Sequence, residues 1–201
     1  MKYWALWMLL CAPLAARVPL DHSRARPLQS WKAQIREYSR KHYGEAEWRL
    51  EPRCIVLHYT AGRDFPWNLV RSQDFAGEQP GLASHFVVQG KTVYQLLPAN
   101  VRSRAAYGIN HRAINIEMVA NDEQDLMNRR STMDTAADLV LDLLGDHQLS
   151  ADEIYSHEQV ARMNRKVCPW VLDLVNAEPY HKIDPGAGPM KYILGRVRKK
   201  L

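Results

Sequence analysis

Hydrophobic positions follow two spacings along this chain, and the spacing assigns the elements. Leu28, Trp31, Ile35 and Tyr38 recur at intervals of three and four, the apolar stripe of an amphipathic helix that ends near Tyr43 and Gly44. Glu51-Pro52 breaks the chain. Ile55-Val56-Leu57 then runs into His58-Tyr59-Thr60-Ala61-Gly62, an apolar run closed by a turn, which reads as a buried strand with a histidine at its end. Residues 64–81 carry Pro66, Gly77, Pro80 and Gly81 among mixed polarity and read as a long loop with room for one helical turn. Ser84 to Val88 and Thr92 to Leu97 are β-rich runs joined by Gln89-Gly90-Lys91, a hairpin signal. Asn100 to His111 is irregular. Ala113 to Val119, apolar apart from Asn115 and Glu117, is another strand.

The second half is more helical. Ser131 is an N-cap candidate with Asp134 three residues on, and Met133, Ala136, Leu139, Val140, Leu143 and Leu144 make a stripe that ends near Gly145. Glu153 to Ser156 is a short strand before His157. Val171 to Val175 and Met190 to Val197 read as helical, and the basic tail from Arg196 to Lys200 as a solvated end. Strands alternating with helices predict an α/β fold, with a mixed central sheet and flanking helices.

Length and composition fit that picture. The chain has 201 residues, 46% hydrophobic and 24% charged, enough for a single domain with a sizeable core. The net charge of +5 points to an anionic polymer as partner. Neither an RNA-reading aromatic motif nor a zinc-finger repeat is present, so nucleic acid is not the expected one. Lys2, the apolar stretch Ala5 to Ala16 and the small pair Ala15-Ala16 read as a signal peptide over residues 1–16, too short to span a bilayer. Residues 17–27 then read as a polar, basic linker before one domain over 28–201. The expectation is an exported protein with no stable membrane insertion after cleavage, and a monomer by default. Outside the leader, Cys54 and Cys168 are the remaining cysteines. In an oxidising compartment they invite a disulfide; alternatively Cys168 binds metal.

The candidate chemistry lies at strand ends. His58 closes one strand, His157 closes another, and Cys168 follows eleven residues later within Lys166-Val167-Cys168-Pro169. Two histidines and a thiolate, with the fourth position open, form the ligand set of a catalytic zinc site. A surface His157 and a structural Cys168 remain the plainer alternative. Glu117 is costly in an apolar strand unless it faces water or sits in a cleft, where it would serve as a general base. Lys166 is the natural cation to stabilise a developing oxyanion.

The ordered segments Val56-Leu57-His58-Tyr59-Thr60-Ala61, Ser84-His85-Phe86-Val87-Val88, Val93-Tyr94-Gln95-Leu96, Gly108-Ile109-Asn110-His111, Ile114-Asn115-Ile116-Glu117, His157 and Lys166-Val167-Cys168-Pro169 together resemble the zinc-dependent N-acetylmuramoyl-L-alanine amidases. This is the type-2 amidase family, related to peptidoglycan recognition proteins. The resemblance spans about residues 52–175 and implies a mixed sheet with a zinc groove. It also implies a peptidoglycan or muropeptide substrate, cut at the amide between N-acetylmuramic acid and L-alanine.

By that resemblance His58, His157 and Cys168 hold Zn2+, Glu117 activates water, Lys166 stabilises the tetrahedral intermediate, and His85 and Asn110 line the groove. Ala106 stands where many members carry a histidine. Lys182-Ile183-Asp184-Pro185-Gly186 also matches the third-ligand motif. Cys168 is preferred over Asp184 because eleven residues after His157 is near the usual spacing and twenty-seven is not. The rivals are a non-catalytic peptidoglycan-binding receptor and a thiol hydrolase using Cys168 and His157.

Overall fold

The apolar run at 54–59 forms the strand on which the sheet is centred. The computed structural model describes residues 17–172 and 179–201; the leader expected at 1–16 and most of the helix expected at 171–175 lie outside them. Within these, six strands form one sheet: β1 (Leu20–Asp21), β2 (Cys54–Tyr59), β3 (Phe86–Gln89), β4 (Thr92–Gln95), β5 (Ala113–Met118) and β6 (Ile154–Ser156). Their order is β1-β4-β3-β5-β2-β6. The β3–β4 pair is an antiparallel hairpin turned at Gly90, whose φ of 62° suits glycine; the other neighbours are parallel. A parallel pair is buried on both faces, which is why β2 and β5 read as near-continuous apolar runs. The fold is the expected mixed sheet with flanking helices.

Strand parity sends side chains to opposite faces. Ile55, Leu57, Ile114, Ile116 and Met118 pack with Met133, Ala136, Val140 and Leu144 of a long helix, α4 (Arg130–His147), and with Ile193 and Val197 of the last helix, α6 (Ala187–Lys200). Cys54 and Val56 face the other way, into a cluster with Ala113, Tyr155, Cys168 and Val171. The first helix, α1 (Leu28–Tyr43), buries Trp31, Ile35 and Tyr38 against Ala83, Leu97 and Val101. The even positions of β2 and the odd positions of β5 therefore share the face turned away from α4.

Several boundaries differ from expectation for local reasons. Ser131 lies inside α4 and does not cap it. The chain arrives from a short helix, α3 (Glu123–Asn128), whose cap is Asp122, its carboxylate accepting from the Asp125 N–H at 2.8 Å. The loop at 64–81 holds one turn, α2 (Asn68–Arg71). The basic tail is helical to Lys200, its cations in the last turn complementing the helix dipole. Residues 17–27 are not a free linker: Leu20–Asp21 adds to the sheet edge beside Val93 and Tyr94, and Arg26 is buried.

His85 and Asn110, expected at the groove, are internal ties instead. The His85 Nδ1 accepts from the Asn115 N–H at 2.9 Å and its Nε2 bonds the Val101 carbonyl at 2.8 Å, so both ring nitrogens are used in the core. Burial lowers its pKa to about 4. The Asn110 Oδ1 accepts from the Ala105 and Ala106 N–H groups at 2.9 Å each, and its amide donates to the Tyr43 hydroxyl. Both ring nitrogens of His85 and the Oδ1 of Asn110 are thus engaged within the protein. His85→Ala leaves a buried N–H and a buried carbonyl unpaired and is expected to cost about 2–5 kcal/mol. A urea titration with unchanged slope and a lower midpoint is the check; a wild-type midpoint would show that the tie is dispensable.

Candidate metal centre

Parity brings the polar residues of two strands together. His58 and Glu117 are paired in register across β2 and β5, and Asn115 lies one pleat away on the same face. The β6 strand pairs with β2 so that Ser156 sits beside Leu57, and Ser156 starts a short helix, α5 (His157–Ala161). A reciprocal capping box fixes that start: the Gln159 N–H donates to the Ser156 Oγ at 3.0 Å, and the Ser156 N–H donates to the Gln159 Oε1 at 2.8 Å. His157, the first helical residue, is thereby aimed at His58. Asp184 is brought in from the far side, its carbonyl accepting from the Glu158 N–H at 3.1 Å. The chain then turns into α6 at Gly186, where φ is 92° and a Cβ would lie 2.3 Å from the Glu123 carboxyl carbon.

Three atoms converge. The His58 Nδ1 and His157 Nδ1 are 3.0 Å apart, and the Asp184 Oδ2 lies 3.2 Å from the first and 3.1 Å from the second. All three residues are more than nine-tenths buried. The outer nitrogens fix the tautomers. His58 Nε2 is 2.9 Å from the Asn115 Oδ1, and the Asn115 amide donates to the Ser103 hydroxyl at 2.8 Å, so His58 Nε2 carries a proton. His157 Nε2 is 3.2 Å from the Tyr180 hydroxyl, which donates to the Tyr107 carbonyl at 3.1 Å and so accepts from His157. The inner atoms therefore meet as three lone-pair donors. The cluster needs a positive charge, supplied by a proton or a metal ion.

The residues fit a metal. Triangle edges of 3.0–3.2 Å approach the edge of about 3.3 Å for a tetrahedral zinc with bonds near 2.0 Å. Two imidazoles and a carboxylate are a borderline-hard set suited to zinc with one position open. Among the described residues, His58, His157 and Asp184 are the one such grouping of histidine, cysteine or acid side chains. Burial works against a charge on His58, but the Asp184 hydrogen bond and the Glu117 charge outweigh it and raise its pKa. Burial, with His58 beside it, lowers His157 to about 4. Burial opposes ionisation of Asp184, yet its hydrogen bonds to His157 and His58 hold it well below the usual carboxylate range. A metal ion would compete with the proton for these same lone pairs.

The cluster opens into a cavity of about 350 Å³ lined by Pro66, Leu69, Leu82, Glu117, Lys182 and Ile183 among others. The Glu117 Oε2 is buried without a hydrogen-bond partner among the described residues. Burial pushes its carboxyl up to about 7; Asp184 adds to the rise, while His58 and Lys182 oppose it. Lys182 is exposed at the rim, two residues before Asp184.

Cys168 is not in this group. It is buried in the apolar cluster that also holds Cys54, Val56 and Tyr155. Cys54 stands four strand residues, roughly 13 Å, from His58. Among the described residues both thiols are unpaired, and burial pushes Cys168 up to about 11, away from the thiolate that a thiol nucleophile needs. Lys166 goes with it, exposed and outside the cavity lining. Of the expected set the structure brings together His58, His157 and Glu117, in the company of Asp184, Lys182, Asn115 and Tyr180, and it places Cys168 and Lys166 elsewhere. Asn115 carried a signal, a second polar residue at even spacing from Glu117 in an apolar strand. Tyr180 carried none.

Comparison with known proteins gives this geometry a family. A model of the family described as N-acetylmuramoyl-L-alanine amidase matches residues 48–170. The curated N-acetylmuramoyl-L-alanine amidase CwlL of Bacillus licheniformis is 27% identical over 148 residues, 64% of this chain but 39% of that relative's length. Among solved structures, the endolysin N-acetylmuramoyl-L-alanine amidase LysCS from Clostridium intestinale URNW superposes with a TM-score of 0.55 at 19% identity, over 74% of this chain and 85% of that one. PlyL superposes with a TM-score of 0.50 at 14% identity, over 72% and 82%. At these identities the structures establish likeness of fold. The family match covers more than half of the sequence, and this chain belongs to the N-acetylmuramoyl-L-alanine amidase family.

Proposed function

We propose that the chain is a zinc-dependent peptidoglycan hydrolase that cleaves the amide between N-acetylmuramic acid and the L-alanine of the stem peptide. The supporting observation is the convergence of His58 Nδ1, His157 Nδ1 and Asp184 Oδ2 beside the unpartnered Glu117 carboxylate, in a chain of this family. On this reading the third ligand is Asp184 and the auxiliary cation is Lys182. The segment at 1–16 serves as the export leader.

The residues divide the work. Asn115 and Tyr180 hold the two imidazoles in the tautomer that presents Nδ1 inward. A zinc ion bound by them would supply a Lewis acid for the amide carbonyl and a water of lowered pKa. Glu117 takes the proton of the attacking water at Oε2 as the oxygen bonds to the carbonyl carbon. It returns that proton to the nitrogen as the C–N bond breaks, and the second proton of the water passes from the new lactyl carboxyl to the amine, leaving a lactyl carboxylate and an L-alanine ammonium. Lys182 offers a positive charge at the rim where the oxyanion develops. The apolar walls at Pro66, Leu69 and Leu82 exclude water and strengthen those charges.

Release of L-alanine N-termini from purified peptidoglycan is expected to stop with chelator and return with zinc. Asp184→Ala should weaken zinc binding by more than the about 10–100-fold that loss of an outer-shell partner costs, whereas Cys168→Ala should bind zinc like wild type. Zinc titrations of both variants check this, and the reverse pattern would restore Cys168 as the ligand.

Glu117→Gln should retain zinc and lose about 10²–10⁴-fold in kcat. Glu117 works ionised, so activity should fall as pH drops through its pKa. Burial places that at about 7, and a bound cation would favour the carboxylate and lower it. The acid limb of the kcat/KM profile is thus expected at or below about pH 7, and a profile flat down to pH 4 would remove Glu117 from the role.

A further inference from the structure

The wall of the cavity is held in place by a segment that precedes the family-matched region. Residues 64–82 form most of one side of the cavity with four residues of helix, so their carbonyls need partners from elsewhere. Arg26 supplies them. Its Nη1 donates to the Leu69 carbonyl at 2.9 Å and the Leu82 carbonyl at 3.3 Å, and its Nη2 to the Ser72 carbonyl at 2.6 Å. One guanidinium thus ties the entry and the exit of the wall, and Leu69 and Leu82 both line the cavity. Arg26 is itself anchored: its N–H donates to the Leu96 carbonyl at 2.9 Å, and its guanidinium lies 4.6 Å from the centre of the Trp31 ring. It is buried at 8% exposure with no carboxylate partner among the described residues, a costly place for a cation that only passes through a linker.

Arg24 makes a second attachment. Its guanidinium sits 3.9 Å from the Phe65 ring centre, 4.3 Å from that of Tyr94 and 4.7 Å from that of Trp67. Phe65 and Trp67 flank the cavity-lining Pro66. Between them the edge strand β1 and the two arginines fasten the wall to β4.

We propose that residues 20–26 are a clamp on the substrate-binding wall, with Arg26 and Arg24 as positioning residues for peptidoglycan binding. The binding half rests on the amidase reading above. The clamp holds a preformed surface, so its loss weakens grip on substrate while leaving His58, Glu117 and His157, which stand on β2, β5 and α5, and Asp184, which precedes α6, in place. Lysine is a poor substitute for Arg26 because it lacks the planar fork that reaches three carbonyls.

The test uses the zinc-loaded full chain with Arg26→Met, Arg26→Lys and Arg24→Gln. Amide hydrogen exchange is followed in peptides covering 64–82 and in β2 and β5, and KM and kcat are measured on a soluble muropeptide. The clamp predicts exchange about tenfold faster in 64–82 with β2 and β5 unchanged. It also predicts KM raised about tenfold with kcat within about twofold and zinc content kept, the lysine variant falling between. Exchange accelerated uniformly across β2 and β5 would make the arginines ordinary stability residues and overturn the proposal. A freed wall with unchanged KM would overturn its binding half. If Arg26→Met does not fold, Arg24→Gln carries the same comparison. A wild-type chain without turnover would sink the amidase reading instead, and wall exchange would then decide the clamp alone.

Discussion

Three proton-free acceptors packed within 3.2 Å of one another repel unless a positive charge sits among them, and the site is built to impose that arrangement. Each acceptor is locked from behind. Asn115, itself held by Ser103, takes the outer proton of His58; Tyr180, tied to the Tyr107 carbonyl, takes that of His157; the Glu158 N–H, donating to the Asp184 carbonyl, anchors the third residue. Either ring could otherwise flip its tautomer and relieve the repulsion internally. The outer hydrogen bonds deny it that escape, so the demand for a cation is a property of the fold.

The same register serves the carboxylate. Because His58 and Glu117 are opposite one another on parallel strands, Glu117 comes near the cluster without joining it. It is close enough for Asp184 to raise its pKa and for His58 to lower it, yet its Oε2 keeps no partner. A carboxylate that coordinated the metal would lose its basicity, and one farther away would lose its reach. The spacing of one strand from its neighbour meets both requirements.

Much of this was legible in the sequence. Period-two parity alone places His58, Asn115 and Glu117 on one face once β2 and β5 are recognised as paired neighbours, and the apolar runs made those strands recognisable. The third member of the cluster was not legible, because two segments offer the same local motif, lysine two residues before a candidate ligand that proline follows, and spacing along the chain favoured Cys168 whereas the structure brings Asp184 to the histidines. What separates the two segments is tertiary. The chain leaves α5, passes Cys168 into the apolar cluster beside β2, and returns so that the Asp184 carbonyl meets the Glu158 N–H. His85 and Asn110 show a related ambiguity. A polar residue in an apolar context signals a partner, and sequence does not say whether that partner is a ligand or the protein's own backbone; here it is the backbone.

Basic composition misled in the other direction at residues 17–27. Polar, charged and short of aliphatics, the stretch has the makeup of a linker, yet Arg24 and Arg26 find aromatic rings and bare carbonyls that only the folded domain presents. An arginine can be buried without a carboxylate when several carbonyls surround its plane, and a wall with little helix or strand has carbonyls to spare. The family match begins at residue 48 and ends at 170, whereas one edge of the cavity is fastened by residues before it and the third acceptor is supplied by a residue after it. The shared part of the fold thus fixes His58, His157 and Glu117, while the flanking segments bring in Asp184 and fasten one wall of the cavity.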